Sequence, residues 1–171
     1  MAAPVPRKSS VKTGTGGGGE AAMYLDSAII IKLLAREADS VWFSRALTGH
    51  GFETSELALT EVRSALLAKE RAGHITSVER VAAEARFLEM IEDELLKVYP
   101  LNRSVLERAN AILLACHPKI PLRTLDALHV ATCDLHRGGK LSTTDVRMRA
   151  ACEQFAITLL PAKPEDVTAT N

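Results

Sequence analysis

Met23-Tyr24-Leu25-Asp26-Ser27-Ala28-Ile29-Ile30-Ile31-Lys32-Leu33-Leu34 decides how the rest of the chain is read. Met23–Asp26 is a short apolar strand candidate. Ser27–Arg36 carries Ile29, Ile30, Leu33 and Leu34 at i, i+1, i+4 and i+5, the spacing of one helix face. The stretch therefore runs from a strand, through a single carboxylate, into an apolar helix. A carboxylate at that junction sits at a buried strand end, where a purely structural role is hard to assign.

Working outward, the alternation repeats. Asp39–Thr48 reads as a second helix with Val41, Trp42 and Leu47. Glu53–Leu59 is a second strand candidate, and Thr60 suits the N-cap of a helix through Ala72, stopped by Gly73. Thr76-Ser77-Val78-Glu79 has the form of a capping box opening a long helix to about Glu92. Leu95–Leu101 is a third strand candidate. Asn102–Cys116 is helical until Pro118 and Pro121, and Thr124–His136 is helical until Gly138-Gly139. Leu141–Thr143, Asp145–Gln154 and Ala156–Leu160 read as strand, helix and strand. Strands alternating with helices predict right-handed crossovers and a mainly parallel sheet of about five strands covered on both faces. Ligands of such α/β sheets bind at the carboxyl ends of the strands.

The chain has 171 residues, enough for one domain with its own core. Hydrophobic residues make up 47% and charged residues 25%, which excludes a wholly disordered chain. Its apolar runs fall far short of the roughly 18 residues of a membrane-spanning helix, so a soluble, cytoplasmic protein is expected. Charges cancel, 21 basic against 21 acidic. A long nucleic-acid footprint is usually basic, so any such contact should be short or depend on a metal ion. Cys116, Cys133 and Cys152 form no C-x-x-C pair; they read as buried free thiols. Residues 1–22, with Pro4, Pro6 and Gly16–Gly19, read as a flexible tail without the apolar segment of a secretory signal. Met23 is a candidate initiator, the domain spans 23–161, and 162–171 read as a C-terminal tail.

Four acids fall where the strand-end rule directs attention. Asp26 follows the first strand, Glu61 opens the helix after the second, Asp126 lies in the first turn of Thr124–His136, and Asp145 follows the fourth strand. Any one of Glu61, Asp126 and Asp145 could be a helix-start residue favoured by the dipole. Together, converging carboxylates repel and raise one another's pKa unless a cation joins them. An oxygen-only donor set selects Mg²⁺ or Mn²⁺ over zinc, and such ions serve phosphodiester hydrolysis.

Tyr24-Leu25-Asp26-Ser27, Leu59-Thr60-Glu61-Val62, Leu125-Asp126-Ala127-Leu128-His129-Val130-Ala131 and Ser142-Thr143-Thr144-Asp145 resemble the four acidic motifs of PIN-domain ribonucleases, nearest to the VapC-type toxins of toxin–antitoxin pairs. The resemblance covers Met23 to about Leu160. It implies a PIN-like three-layer α/β fold and a Mg²⁺- or Mn²⁺-dependent endoribonuclease cutting an RNA substrate. It also implies a homodimer and a small cognate antitoxin. Asp26, Glu61, Asp126 and Asp145 become the metal-site and catalytic acids. Ser27 and Thr143 become their hydrogen-bonding neighbours, and Arg123 and Arg147 the arginines nearest the presumed cleft. The stripe Ile29, Ile30, Leu33 and Leu34, with the helix around Phe87 and Met90, is either a docking surface for a second copy or antitoxin, or ordinary core.

Competing readings are a housekeeping PIN nuclease in RNA processing and a non-catalytic PIN-like binding module. A phosphoryl-transfer site built on Asp26 would want a further acid beside or two residues after it; Ser27 and Ala28 stand there. Asp126, His129 and Cys133 share a helix face, but zinc wants four ligands, so His129 reads as a packed histidine. The glycine run lacks G-K-[ST] and opens no helix, so it is no phosphate loop.

Overall fold

The computed structural model describes residues 22–136 and 139–167. The tail read at 1–22 lies, except for Ala22, outside the described residues, as do Arg137, Gly138 and the last four positions. The order is β1 (Met23–Leu25), α1 (Ser27–Leu34), α2 (Ser40–Ala46), β2 (Phe52–Ser55), α3 (Leu57–Arg71), α4 (Ser77–Glu92), β3 (Leu96–Tyr99), α5 (Arg103–Cys116), α6 (Thr124–Leu135), β4 (Lys140–Ser142), α7 (Val146–Gln154) and β5 (Thr158–Leu160). A 3₁₀ turn follows at Pro164–Asp166.

All five strands are parallel, in the order β3-β2-β1-β4-β5. Successive crossovers step from β1 to β2 and β3 on one side, then return to β4 and β5 on the other. The switch in direction therefore falls between β1 and β4, and a crevice opens there at the strand ends. Register sets what lines it. Tyr24 pairs with Leu141 and Leu25 with Ser142, and the Asp26 N–H donates to the Ser142 carbonyl at 3.2 Å. Asp26 and Thr143, one residue beyond each strand, therefore arrive side by side.

Two cores cover the sheet. Met23 and Leu25 face one, filled by α1, α2, α3 and α4. Tyr24, alternating in the pleat, faces the other, filled by α5, α6 and α7. Ile29, Ile30, Leu33 and Leu34 are at most 1% exposed, and Phe87 and Met90 are buried. The stripe is thus ordinary core; as a docking surface it is ruled out, because its own chain covers it. Each such side chain contributes about 1.5–3 kcal/mol over leaving it in water. The three cysteines are buried free thiols, and among the described residues no helix is long and apolar enough to cross a membrane.

Helix ends follow local chemistry where the sequence is explicit. Thr76 and Glu79 form the reciprocal capping box expected of them. Gly73 ends the α3 segment at φ +73°, a conformation that costs a glycine nothing. The second strand needed correction. It ends at Ser55, not Leu59, and α3 begins at Leu57. Leu57, Ala58, Val62 and Leu66 are buried at helical spacing, and tertiary packing of that stripe outweighs the local β-like run. Thr60 is therefore inside the helix, where its hydroxyl donates to the Leu57 carbonyl. The fifth strand starts at Thr158, after Ala156 turns at φ 56°.

Candidate active site

One cleft of about 460 Å³ is lined by Asp26, Ser27, Glu61, Asp126, His129 and Asp145. Four segments meet in it: the β1–α1 junction, the second turn of α3, the first turn of α6 and the β4–α7 junction. A hollow of about 570 Å³ lies elsewhere, between the end of α1 and the start of α4. It gathers no carboxylate cluster, so chemistry rather than size singles out the acidic cleft.

Asp26 is 4% exposed. Its Oδ1 accepts from the Ile29 N–H at 2.8 Å, capping α1, and its Oδ2 accepts from the Thr143 hydroxyl. Both donors are neutral. Burial pushes its carboxyl above the ordinary carboxylate range, against the hydrogen bonds from Thr143 and Ile29. The Thr143 hydroxyl also accepts from the Asp145 N–H at 3.0 Å, so one hydroxyl ties two acidic segments together.

Glu61 sits in the second turn of α3, not at its start. A helix-dipole role, suited to a first turn, does not account for it. Its Oε2 accepts from the Ser27 hydroxyl at 2.5 Å and lies 2.8 Å from His129 Nε2. On the other side of the ring, His129 Nδ1 lies 2.9 Å from the Tyr24 hydroxyl. A neutral ring satisfies both contacts when Nε2–H donates to Glu61 and Nδ1 accepts from Tyr24. Burial would raise the Glu61 carboxyl; the His129 and Ser27 hydrogen bonds outweigh it and hold the group below its usual value.

Asp126 accepts from the Arg123 N–H at 3.2 Å, closing the first turn of α6. Asp145 is the N-cap of α7, with Oδ1 accepting from the Arg147 and Met148 N–H groups at 2.8 and 3.2 Å. The helix-start roles open to these two acids are thus real, and both acids also face the cleft. Arg147 stands between them, Nη2 at 3.1 Å from Asp145 Oδ2 and Nε at 4.0 Å from Asp126 Oδ2. Burial and the nearby Asp145 raise the Asp126 carboxyl. Burial opposes Asp145 as well, yet the Arg147 side chain and the helix N–H groups pull it below its ordinary value.

Among the described residues, no three His, Cys, Asp or Glu side chains stand as a ready metal cage. Each carboxylate is held by donors of the chain. The arrangement still fits a hard divalent cation, because the donors are oxygens and the most buried of them, Asp26, has only neutral hydrogen-bond partners.

Arg149, four residues after Asp145, turns away from the cleft. It is 5% exposed, and its guanidinium donates to the Thr143, Pro161 and Ala162 carbonyls at 2.9–3.2 Å. Arg149 thus clamps the ends of β4 and β5 beneath the site. Arg149→Ala leaves those carbonyls unpaired and should cost about 3 kcal/mol in urea denaturation; a loss under about 1 kcal/mol would mean water replaces the guanidinium. Asp134, off the acidic face, pairs with Arg108 at 2.7 Å. His129 was read as a packed histidine, and it is packed; its bridge to Glu61 went unread, since 68 residues separate them. The signal available was a histidine one turn from Asp126 on an otherwise apolar helix.

A parallel α/β protein with a carboxylate cleft at its topological switch point is the class these observations define. Residues 23–154 match the PIN domain family. The chain is 36% identical over 146 residues to ribonuclease VapC46 of Mycobacterium tuberculosis (strain ATCC 25618 / H37Rv), covering 82% of this chain and 97% of that protein. Its fold is similar to FitAcB from Neisseria gonorrhoeae (TM-score 0.59, 18% identity, 75% of this chain and 92% of that one). It is similar too to a chain of a toxin–antitoxin complex from Klebsiella pneumoniae (TM-score 0.53, 19% identity, 75% and 90%). The chain belongs to the PIN-domain family.

Proposed function

We propose that this protein is a Mg²⁺- or Mn²⁺-dependent endoribonuclease and the toxin of a toxin–antitoxin pair. The observation that carries the reading is the convergence of Asp26, Glu61, Asp126 and Asp145, from four separate segments, on one cleft. The similarity to ribonuclease VapC46 over most of both chains supports the substrate class.

Asp26, Glu61, Asp126 and Asp145 would hold the ion. When bound, a divalent ion supplies the positive charge that polarises a phosphodiester and activates water. The chain's own residues prepare the site. Thr143 fixes the Asp26 carboxylate, and Ser27 and His129 fix that of Glu61. Arg147 offsets charge between Asp126 and Asp145. The Arg123 side chain, exposed one turn before Asp126, would meet a backbone phosphate of incoming RNA.

Purified protein should cleave single-stranded RNA in Mg²⁺ or Mn²⁺, stop in EDTA and resume on added Mn²⁺; cleavage that persists in EDTA overturns the assignment. The partner side of the proposal is a small antitoxin and a homodimer. Expression should arrest growth, and coexpression of a cognate antitoxin should relieve it. Light scattering that gives a monomer removes the dimer.

A further inference from the structure

Arg147, the second residue of α7, stands beside two acids that line the cleft, Asp126 and Asp145. Its guanidinium contacts Asp145 Oδ2 at 3.1 Å and stands 4.0 Å from Asp126 Oδ2. Asp126 has no other side-chain cation within salt-bridge distance among the described residues. The Nε of Arg147 is buried and makes no hydrogen bond. A guanidinium with an unused donor beside two acids is held there by charge rather than by an optimised fork, since a fully paired arginine would use its donors on one carboxylate. The other two acids are satisfied differently, Asp26 by neutral donors and Glu61 by Ser27 and His129. One half of the site therefore already contains a cation.

We infer that Arg147 is the resident counter-cation of the site, occupying the space between Asp126 and Asp145 that a divalent ion must take from it. The inference rests on the divalent-ion reading above. Exchange follows from electrostatics. Without an ion, Arg147 relieves repulsion between Asp126 and Asp145 and keeps the empty cleft stable. A divalent ion entering between them meets a fixed positive charge and binds only by displacing it. Once displaced, the guanidinium is free at the cleft mouth beside the place where a phosphodiester would sit, and planar bidentate recognition of phosphate suits it. The side chain is then a positioning residue whose location reports whether the ion is bound.

The test is direct Mn²⁺ binding to the full-length protein by calorimetry, comparing native protein with Arg147→Gln and Arg147→Lys. Arg147→Gln should bind Mn²⁺ roughly three- to tenfold more tightly, the scale of one partly solvated charge pair. Arg147→Lys, which keeps the charge, should stay near the native affinity. A thermal melt supplies a second readout that needs no RNA. Ion-free Arg147→Gln should melt below native protein, and Mn²⁺ should raise its Tm more than it raises that of native protein. Unchanged or weaker Mn²⁺ binding by Arg147→Gln, with native protein binding normally, overturns the counter-cation role and leaves the nuclease reading intact. If native protein binds no Mn²⁺, both fall.

Discussion

Asp26→Asn should abolish RNA cleavage and at the same time make the ion-free protein more stable. The two effects have one cause. Asp26 is 4% exposed, and among the described residues its carboxylate accepts only from the Ile29 N–H and the Thr143 hydroxyl. Burial disfavours its charge and raises its pKa. Asparagine keeps the cap, because its carbonyl oxygen can accept from Ile29, and its amide can donate to Thr143, whose hydroxyl turns to accept. What disappears is the buried charge. Loss of an ion-holding carboxylate removes several kcal/mol of transition-state stabilisation, so a fall of about 10³-fold or more is expected. The gain in ion-free stability should reach about 1 kcal/mol, some 2–4 °C in Tm for a chain of this size.

The pH dependence fixes the sign of that argument. A carboxyl whose folded pKa is raised binds more protons folded than unfolded, so native stability falls as pH climbs from its ordinary 3.8 through the raised folded value. Asp26→Asn lacks that loss. Its Tm advantage should grow as the pH rises above 3.8 and should vanish once the pH drops below 3.8. Added Mn²⁺ should reverse the order at neutral pH, stabilising native protein and leaving the variant unmoved. An Asp26→Asn protein with near-native cleavage would exclude this carboxylate from the site.

The fold was legible because its decisive signals are local. Thr76 and Glu79 close the start of α4, and the apolar stripe of Ser27–Leu34 has one period throughout; the Asp26 cap of α1 emerged only from the structure. The boundary at Leu57 was not, since Phe52-Glu53-Thr54-Ser55 and the run after it look alike until the sheet and α1 select which residues are buried. The acids could be located because the strand-end rule of parallel sheets converts chain order into spatial convergence. Their partners could not. Ser27 to Glu61 spans 34 residues and Thr143 to Asp26 spans 117, and the β1–β4 register that joins the second pair is written in no local pattern. Arg149 was equally illegible, because the helix turns its side chain inward to three carbonyls that no local pattern brings together.

Removing the ring of His129 should damage the site less than removing an acid, and through Glu61 rather than by direct contact with RNA. His129 is 3% exposed and spans from Tyr24 to Glu61. His129→Leu keeps comparable bulk and leaves Glu61 with the Ser27 hydroxyl alone. A lost partner of this kind typically costs 10–100-fold, and that range is expected in cleavage rate. Stability should fall by about 2 kcal/mol, because the Tyr24 hydroxyl and the Glu61 carboxylate each lose a partner. A purely structural role would stop there. A positioning role makes a further demand. Burial raises the Glu61 carboxyl while His129 and Ser27 lower it, so without the ring the carboxyl must titrate at higher pH. The acid limb of the pH–rate profile should therefore move upward in His129→Leu and stay in place in Tyr24→Phe, which removes only the hydroxyl behind the ring. Equal acid limbs in native protein and His129→Leu would reduce His129 to packing, with Glu61 oriented by Ser27 alone.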